Sequence, residues 1–237
     1  MKQLDPVTDA RLAAVGARFA LSDDQLAALA RLLIVLAEDP NAPTTVTDPR
    51  TAVDAHVADS LVALEVEPVR SATRIGDLGS GAGFPGIPLA IALPSARVAL
   101  VESVGRKTEF LARAVTATGA RNVDVVIDRA ESWRDGLEAC DVVTARALAP
   151  LNVLVEYAAP LLRLGGSVVA YKGRRDPDEE RDGAAAAAHL GLELVEVRRV
   201  DPFPQAEARH LVVYRKAAPT PPGYPRRPGM ARKRPIR

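Results

Sequence analysis

The spacing of apolar positions along the chain changes near residue 73. Before it they recur with a helical period over residues 9–65; Leu26, Leu29, Ala30, Leu33 and Ala37 share one face. Ser22 stands as the N-cap of that helix, followed by Asp23 and Asp24 in the first turn, where the helix dipole favours negative charge. Asp39-Pro40-Asn41-Ala42-Pro43 ends it. Asp48-Pro49 opens another helix, with proline at its first position, running through His56 and Asp59 to about Leu64.

After residue 73, short apolar runs alternate with helical stretches. The runs Arg74–Asp77, Val98–Glu102, Val123–Ile127, Val142–Ala145 and Ser167–Lys172 predict strands, with helices at 85–93, 105–118, 150–162 and about 177–190. This alternation predicts an α/β fold: a mostly parallel sheet covered on both faces, with right-handed crossovers. Two further strands, Glu193–Val200 and His210–Arg215, have only the Asp201-Pro202-Phe203-Pro204 turn between them. They complete seven strands and predict a C-terminal β-hairpin that gives one edge strand an antiparallel sense. The domain plan is a helical extension at 1–68, the sheet domain at 69–216 and a tail at 217–237.

Composition changes the picture mainly through charge. The tail holds six prolines, and from Arg215 to Arg237 there are eight Lys/Arg and no acid. Removing those eight from the 31 basic residues leaves 23 against 30 acids, a net −7 over residues 1–214, so the overall +1 conceals an acidic body. The tail cannot bury enough apolar surface to order itself alone, which predicts disorder. No apolar run approaches the roughly 20 residues of a membrane span, and the N-terminus is not a secretory signal. A single cysteine, Cys140, and three scattered histidines predict neither an internal disulfide nor a metal site. A soluble cytoplasmic protein is the expectation, and a monomer, since no long apolar stripe is left uncovered.

The sharpest segment is Ile75-Gly76-Asp77-Leu78-Gly79-Ser80-Gly81-Ala82-Gly83-Phe84-Pro85-Gly86, a strand closing on an acid and then a Gly-rich turn entering a helix. About 20 residues on, a second strand ends in Glu102, where nucleotide-binding α/β folds hold a ribose. The letters also fit a dinucleotide fingerprint, but Asp77 would then repel a pyrophosphate. An acid there suits S-adenosylmethionine, which lacks phosphate and carries an ammonium and a sulfonium.

With these residues in view, the chain resembles the glucose-inhibited division protein B family of bacterial guanine-N7 methyltransferases acting on small-subunit (16S) ribosomal RNA. The resemblance spans about Thr44 to Lys216. It rests on Thr45-Val46-Thr47-Asp48-Pro49, His56-Val57-Ala58-Asp59-Ser60, the turn from Asp77 to Leu89, and Glu102-Ser103-Val104-Gly105-Arg106-Lys107. It continues through Arg129-Ala130-Glu131, Thr144-Ala145-Arg146-Ala147, Lys172-Gly173 and Arg209-His210-Leu211-Val212-Val213. It implies a Rossmann-like class I S-adenosylmethionine-dependent fold and a target guanine in a loop near the decoding region, in RNA or in the assembling 30S subunit. It also implies cofactor contacts at Gly79, Phe84, Ala130, Glu131 and Arg146. Asp77, Gly81, Gly83 and Glu102 complete the expected cofactor set. Two departures are Ala42-Pro43-Thr44 where many members have Asn-Leu-Thr, and Glu102 where Asp is common.

Other positions keep two readings at this stage. Arg146 and Lys172, at the mouths of the fourth and fifth strands, suit a phosphate or the target base, or a structural ion pair. His56 and Asp59, three apart on a helix, could orient substrate or hold the fold. Arg106, Lys107, Arg174, Arg175, Arg226, Arg227, Arg232, Lys233 and Arg234 are candidate RNA-phosphate contacts or solvated charges. A methyltransferase for another RNA, a small molecule or a protein, a nicotinamide oxidoreductase, and a non-catalytic RNA-binding assembly factor are the competing functions.

Overall fold

The structure, a computed structural model, describes residues 3–236. The strands are β1 (Arg74–Leu78), β2 (Arg97–Glu102), β3 (Val123–Ile127), β4 (Cys140–Arg146), β5 (Leu162–Lys172), β6 (Leu192–Val200) and β7 (Arg209–Lys216). The helices are α1 (Pro6–Arg18), α2 (Asp23–Glu38), α3 (Pro49–Ala52), α4 (Asp59–Leu61), α5 (Glu67–Arg70), α6 (Gly86–Ala92), α7 (Gly105–Thr118), α8 (Leu151–Ala158), α9 (Pro177–His189) and α10 (Met230–Lys233). The sheet order is β3-β2-β1-β4-β5-β7-β6, parallel except where β7 meets its two neighbours. This is the mostly parallel α/β sheet the alternation predicts, in the Rossmann-like class the resemblance implies.

The hairpin differs from expectation. β7, not an edge strand, is the antiparallel one, and it lies inside the sheet between β5 and β6. The reason is burial. Leu211, Val212, Val213 and Tyr214 are all buried in β7, whereas β6 exposes Leu194 and Val195. The strand that is apolar on both faces takes the covered position, and the strand rich in charge takes the edge.

Alternation within strands divides the core. Ile75, Val98, Val142, Val169 and Val213 face one apolar cluster, which includes Leu29, Leu32, Leu33 and Leu36 of α2 and Phe110 of α7. Val143, Val168, Val212 and Tyr214 face the other, under α8 and α9. The N-terminal helices thus form part of a covering layer and share its core, rather than standing apart as an extension. Each fully buried Leu of α2 contributes about 1.5–3 kcal/mol relative to exposure, which anchors that layer to the sheet.

Local signals explain the helix starts. Ser22 and Gln25 form a capping box on α2, and the Asp48 side chain accepts from the Thr51 backbone N–H ahead of Pro49. Between α3 and α4 the chain makes a π-helical turn, Val53–Ala58, and after α4 a 3₁₀ turn, Val62–Glu65. Such π turns are frequent at functional sites.

The tail is not disordered. Residues 217–236 pack on the body, Ala231 is 1% exposed, and Lys216, counted among the basic tail, is buried with its Nζ donating to the carbonyls of Ala159 and Leu162. The composition argument excludes folding alone; it does not exclude folding against α8.

Candidate active site

Two clefts open at the carboxyl ends of the parallel strands, where ligands sit in open α/β sheets. The first, about 430 Å³, is lined by Gly79 after β1, Glu102 at the end of β2 and Val104 beyond it, Asp128 to Glu131 after β3, and Ala147, Leu148 and Tyr157 after β4. The second, about 460 Å³, is lined by His56, Asp59, Arg146, Lys172, Arg209 and His210 among others. Ala147 lines both.

The first cleft is shaped by backbone. Gly79 has φ +66°, and a Cβ there would meet Leu148 Cδ1 at 2.6 Å. Only glycine takes that conformation without strain and leaves that space. Its N–H donates to the Val101 carbonyl, tying the turn to β2. Glu102 is 5% exposed; its Oε1 accepts from the N–H groups of Ser103 and Val104, and its Oε2 from Gly81. Lys107 Nζ stands 3.7 Å from Oε2.

Asp77 does not line this cleft. It is fully buried beneath the turn, where its carboxylate accepts from Thr144 Oγ1 at 2.9 Å and from the Gly86 N–H at 3.2 Å. Burial raises its pKa to about 6, with the hydrogen bond from Thr144 the largest opposing cause. Its work is to anchor the entry into α6. Gly83 and Phe84, expected at the cofactor, also face inward. Gly83 is set against Ile87 and Leu111, and the Phe84 ring stacks on His56 at 4.5 Å. Gly81 meets the cleft only through its N–H on Glu102.

The second cleft is built from side chains. Arg146 donates to Asp59 Oδ2 at 2.8 Å, to the Ala55 carbonyl at 3.0 Å and toward His56 Nδ1 at 3.2 Å, and it lies 5.5 Å above the Phe84 ring. Asp59 Oδ1 accepts from Arg209 Nε at 3.2 Å. Burial, then the Arg146 charge, lowers the His56 pKa to about 4, so the ring is neutral at pH 7. With Nδ1 facing a donor, Nε2 carries the proton and donates to the Val46 carbonyl at 3.2 Å. Arg146, expected at the cofactor as well as the substrate, projects into this second cleft. Lys172 pairs with Glu179 at 2.5 Å.

Of the basic residues expected on RNA, Arg106, Arg174, Arg227, Lys233 and Arg234 are exposed. Lys107 and Arg232 instead line the first cleft. Arg175 pairs with Glu180, and Arg226 is held in a bidentate pair by the buried Glu156. Sequence reasoning missed Asp128, Arg129, Ala147, Leu148, Tyr157 and Arg209 as site residues. Arg129, Ala147 and Arg209 stood in quoted motifs without a role, and Asp128, Leu148 and Tyr157 stood outside them.

The pattern of the family described as rRNA small subunit methyltransferase G matches residues 23–212. The chain belongs to that family. A ribosomal RNA small subunit methyltransferase G from Rubrobacter xylanophilus is 44% identical over 223 residues, covering 91% of this chain and 85% of the relative. One from Roseiflexus castenholzii is 48% identical, with 81% and 83% covered. Among solved structures, a SAM-dependent methyltransferase from Aquifex aeolicus aligns with a TM-score of 0.58 at 16% identity, over 75% of this chain and 98% of that one. Fibrillarin from Aeropyrum pernix with natively bound S-adenosyl-L-methionine gives 0.54 at 23%, over 66% and 73%. These two show the fold.

Membership in the methyltransferase G family makes the chain a S-adenosylmethionine-dependent ribosomal RNA methyltransferase. The first cleft fits that cofactor on its own chemistry. Its volume lies within the range of small-molecule sites, roughly 300–1,000 Å³. Its three acids, Glu102, Asp128 and Glu131, beside three cations, Lys107, Arg129 and Arg232, suit a zwitterionic, sulfonium-bearing nucleoside. Among the described residues no group of His, Cys, Asp and Glu is arranged to hold a metal, and no helix is long and apolar enough to cross a membrane.

Proposed function

We propose that this methyltransferase acts on N7 of one guanine in a loop of small-subunit ribosomal RNA, within the assembling subunit, as a cytoplasmic monomer. The observation that carries the reading is the pair of clefts meeting at Ala147, one backbone-walled and closed by Glu102, the other presenting Arg146 and Arg209. Bound in the first cleft, the cofactor supplies an electrophilic methyl group on sulfur.

The residues around it position and do not transfer protons. Glu102 is the group to hold the ribose, with Ala130 and Glu131 beside the adenine. In the second cleft both ring nitrogens of His56 are committed to hydrogen bonds, and N7 already exposes a lone pair at neutral pH, so no base is required. Arg146 is fixed by Asp59, His56 and the Ala55 carbonyl, and its fixed guanidinium faces the base or its phosphate. Holding the two reactants aligned can supply several kcal/mol of the barrier reduction. N7 lies in the deep groove of paired RNA, which favours a loop target. The exposed Arg106, Arg174, Arg227, Lys233 and Arg234 supply phosphate attraction that the acidic body lacks.

Mapping N7-methylguanosine in small-subunit RNA from cells with and without the protein tests the reading. One guanine should lose its methyl group when the protein is absent, and an unchanged map ends the proposal. Comparing deproteinised RNA with purified subunits as substrates identifies the form acted on. Light scattering reports the monomer.

A further inference from the structure

The family match stops at residue 212, yet the chain beyond β7 returns to the first cleft. Arg226 is locked to Glu156, itself 3% exposed on α8, and the Asn152 side-chain amide donates to the Ile236 carbonyl at 2.9 Å. Ala231 is buried in the apolar cluster that contains Leu154 and Tyr157. Between these anchors, the Gly229 N–H donates to Glu131 Oε1 at 2.8 Å, and Arg232 Nη2 donates to the Leu148 carbonyl at 2.7 Å. Glu131, Leu148 and Arg232 all line the first cleft.

We infer that the C-terminal segment is a wall of the methyl-donor cleft, and that Arg232 binds the donor's α-carboxylate. The inference rests on that cleft holding S-adenosylmethionine. The donor has one anion, and the cleft offers it three cations. Lys107 is engaged by Glu102. Arg129 stands at the end of β3 beside Ala130 and Glu131, the adenine side. Arg232 is fastened to Leu148, whose side chain packs on Gly79 at the end of β1. That puts its guanidinium toward the amino-acid end, where a planar fork matches a carboxylate. Gly229, by donating to Glu131, fixes the opposite wall through the same few residues. The wall is therefore a continuous strap whose two contacts are three residues apart.

Calorimetry on full-length Arg232→Ala, Arg232→Lys and Lys233→Ala tests this, with S-adenosylhomocysteine and 5′-methylthioadenosine as the two probes. The second probe keeps the nucleoside and lacks the amino-acid end. Arg232→Ala should weaken S-adenosylhomocysteine about tenfold and leave methylthioadenosine within about twofold. Arg232→Lys should recover part of the loss, and Lys233→Ala, exposed and outside the cleft, should change neither. Because Arg232 is exposed, thermal unfolding of the ligand-free variant should match the parent. Unchanged S-adenosylhomocysteine affinity, or an equal loss for both probes, overturns the assignment. Failure of the unmodified protein to bind S-adenosylhomocysteine would instead overturn the cofactor reading beneath it.

Discussion

The two clefts are held open by different means. The first is walled by peptide backbone, a Gly-rich turn and three strand ends, and its acids Glu102 and Glu131 are held by N–H groups. The second is a web of long side chains, in which Asp59 bridges Arg146 and Arg209 while Arg146 also fixes His56. A backbone cradle tolerates many substitutions and fails at the few positions where a side chain cannot fit. A charged web fails at Asp59 and Arg146, because losing either leaves the other without its nearest counter-charge.

The largest effect is expected where the cradle cannot give. Gly79→Val puts a β-branched side chain at φ +66° against Leu148, so methyl transfer should fall by at least about a thousandfold. Circular dichroism should still report a folded protein, and wild-type affinity for S-adenosylhomocysteine would break the description of the first cleft. Next, Arg146→Ala should lower turnover by about a hundredfold with S-adenosylhomocysteine affinity within about twofold. If both fall together, the clefts are one site and the contrast disappears. Glu102→Gln should weaken S-adenosylhomocysteine by about tenfold while leaving the KM for RNA unchanged; a shift confined to RNA would move Glu102 to the other cleft.

The smallest effect is a slope. Asp77 titrates at about 6 in the folded chain against 3.8 ordinarily, so its contribution to stability is full below about pH 4 and is lost as pH rises through 6. His56 titrates at about 4 against 6.5; its contribution is full above about pH 6.5 and is lost as pH falls toward 4. The two oppose over nearly the same window, so together they leave stability almost level there. His56→Gln removes one side, and urea unfolding should then show stability declining from pH 4 to 6. A rising profile in that variant would show that Asp77 is not the opposing group.

Local chemistry was legible in the sequence, and direction was not. The turn after β1 and the acid closing β2 could be read because their spacing along the chain is itself the geometry. The same spacing does not tell which side of the turn a residue faces, and Asp77, Gly83 and Phe84 all point to the interior. The Arg146 web joins residues about 90 and 150 positions apart in sequence, beyond the reach of any local pattern. The tail misled for a related reason. Its prolines and charges describe a segment without its own core, whereas Glu156 and the apolar surface of α8 supply the missing partners. The antiparallel strand was expected at an edge because pairing order is a tertiary property, although the unbroken Leu211-Val212-Val213-Tyr214 run of β7 was a signal that it sits inside the sheet.

That interior position has a consequence for synthesis on the ribosome. When β6 emerges, the slot between it and β5 is vacant, since its occupant is the last strand to be made. β1 to β5 can pair in order as the chain lengthens, but two unsatisfied backbone edges persist until residue 216 has left the exit tunnel. A nascent chain stalled in the turn after β6 would present those edges to its neighbours, and premature termination there should yield aggregates, while the finished chain closes the gap with its own final strand.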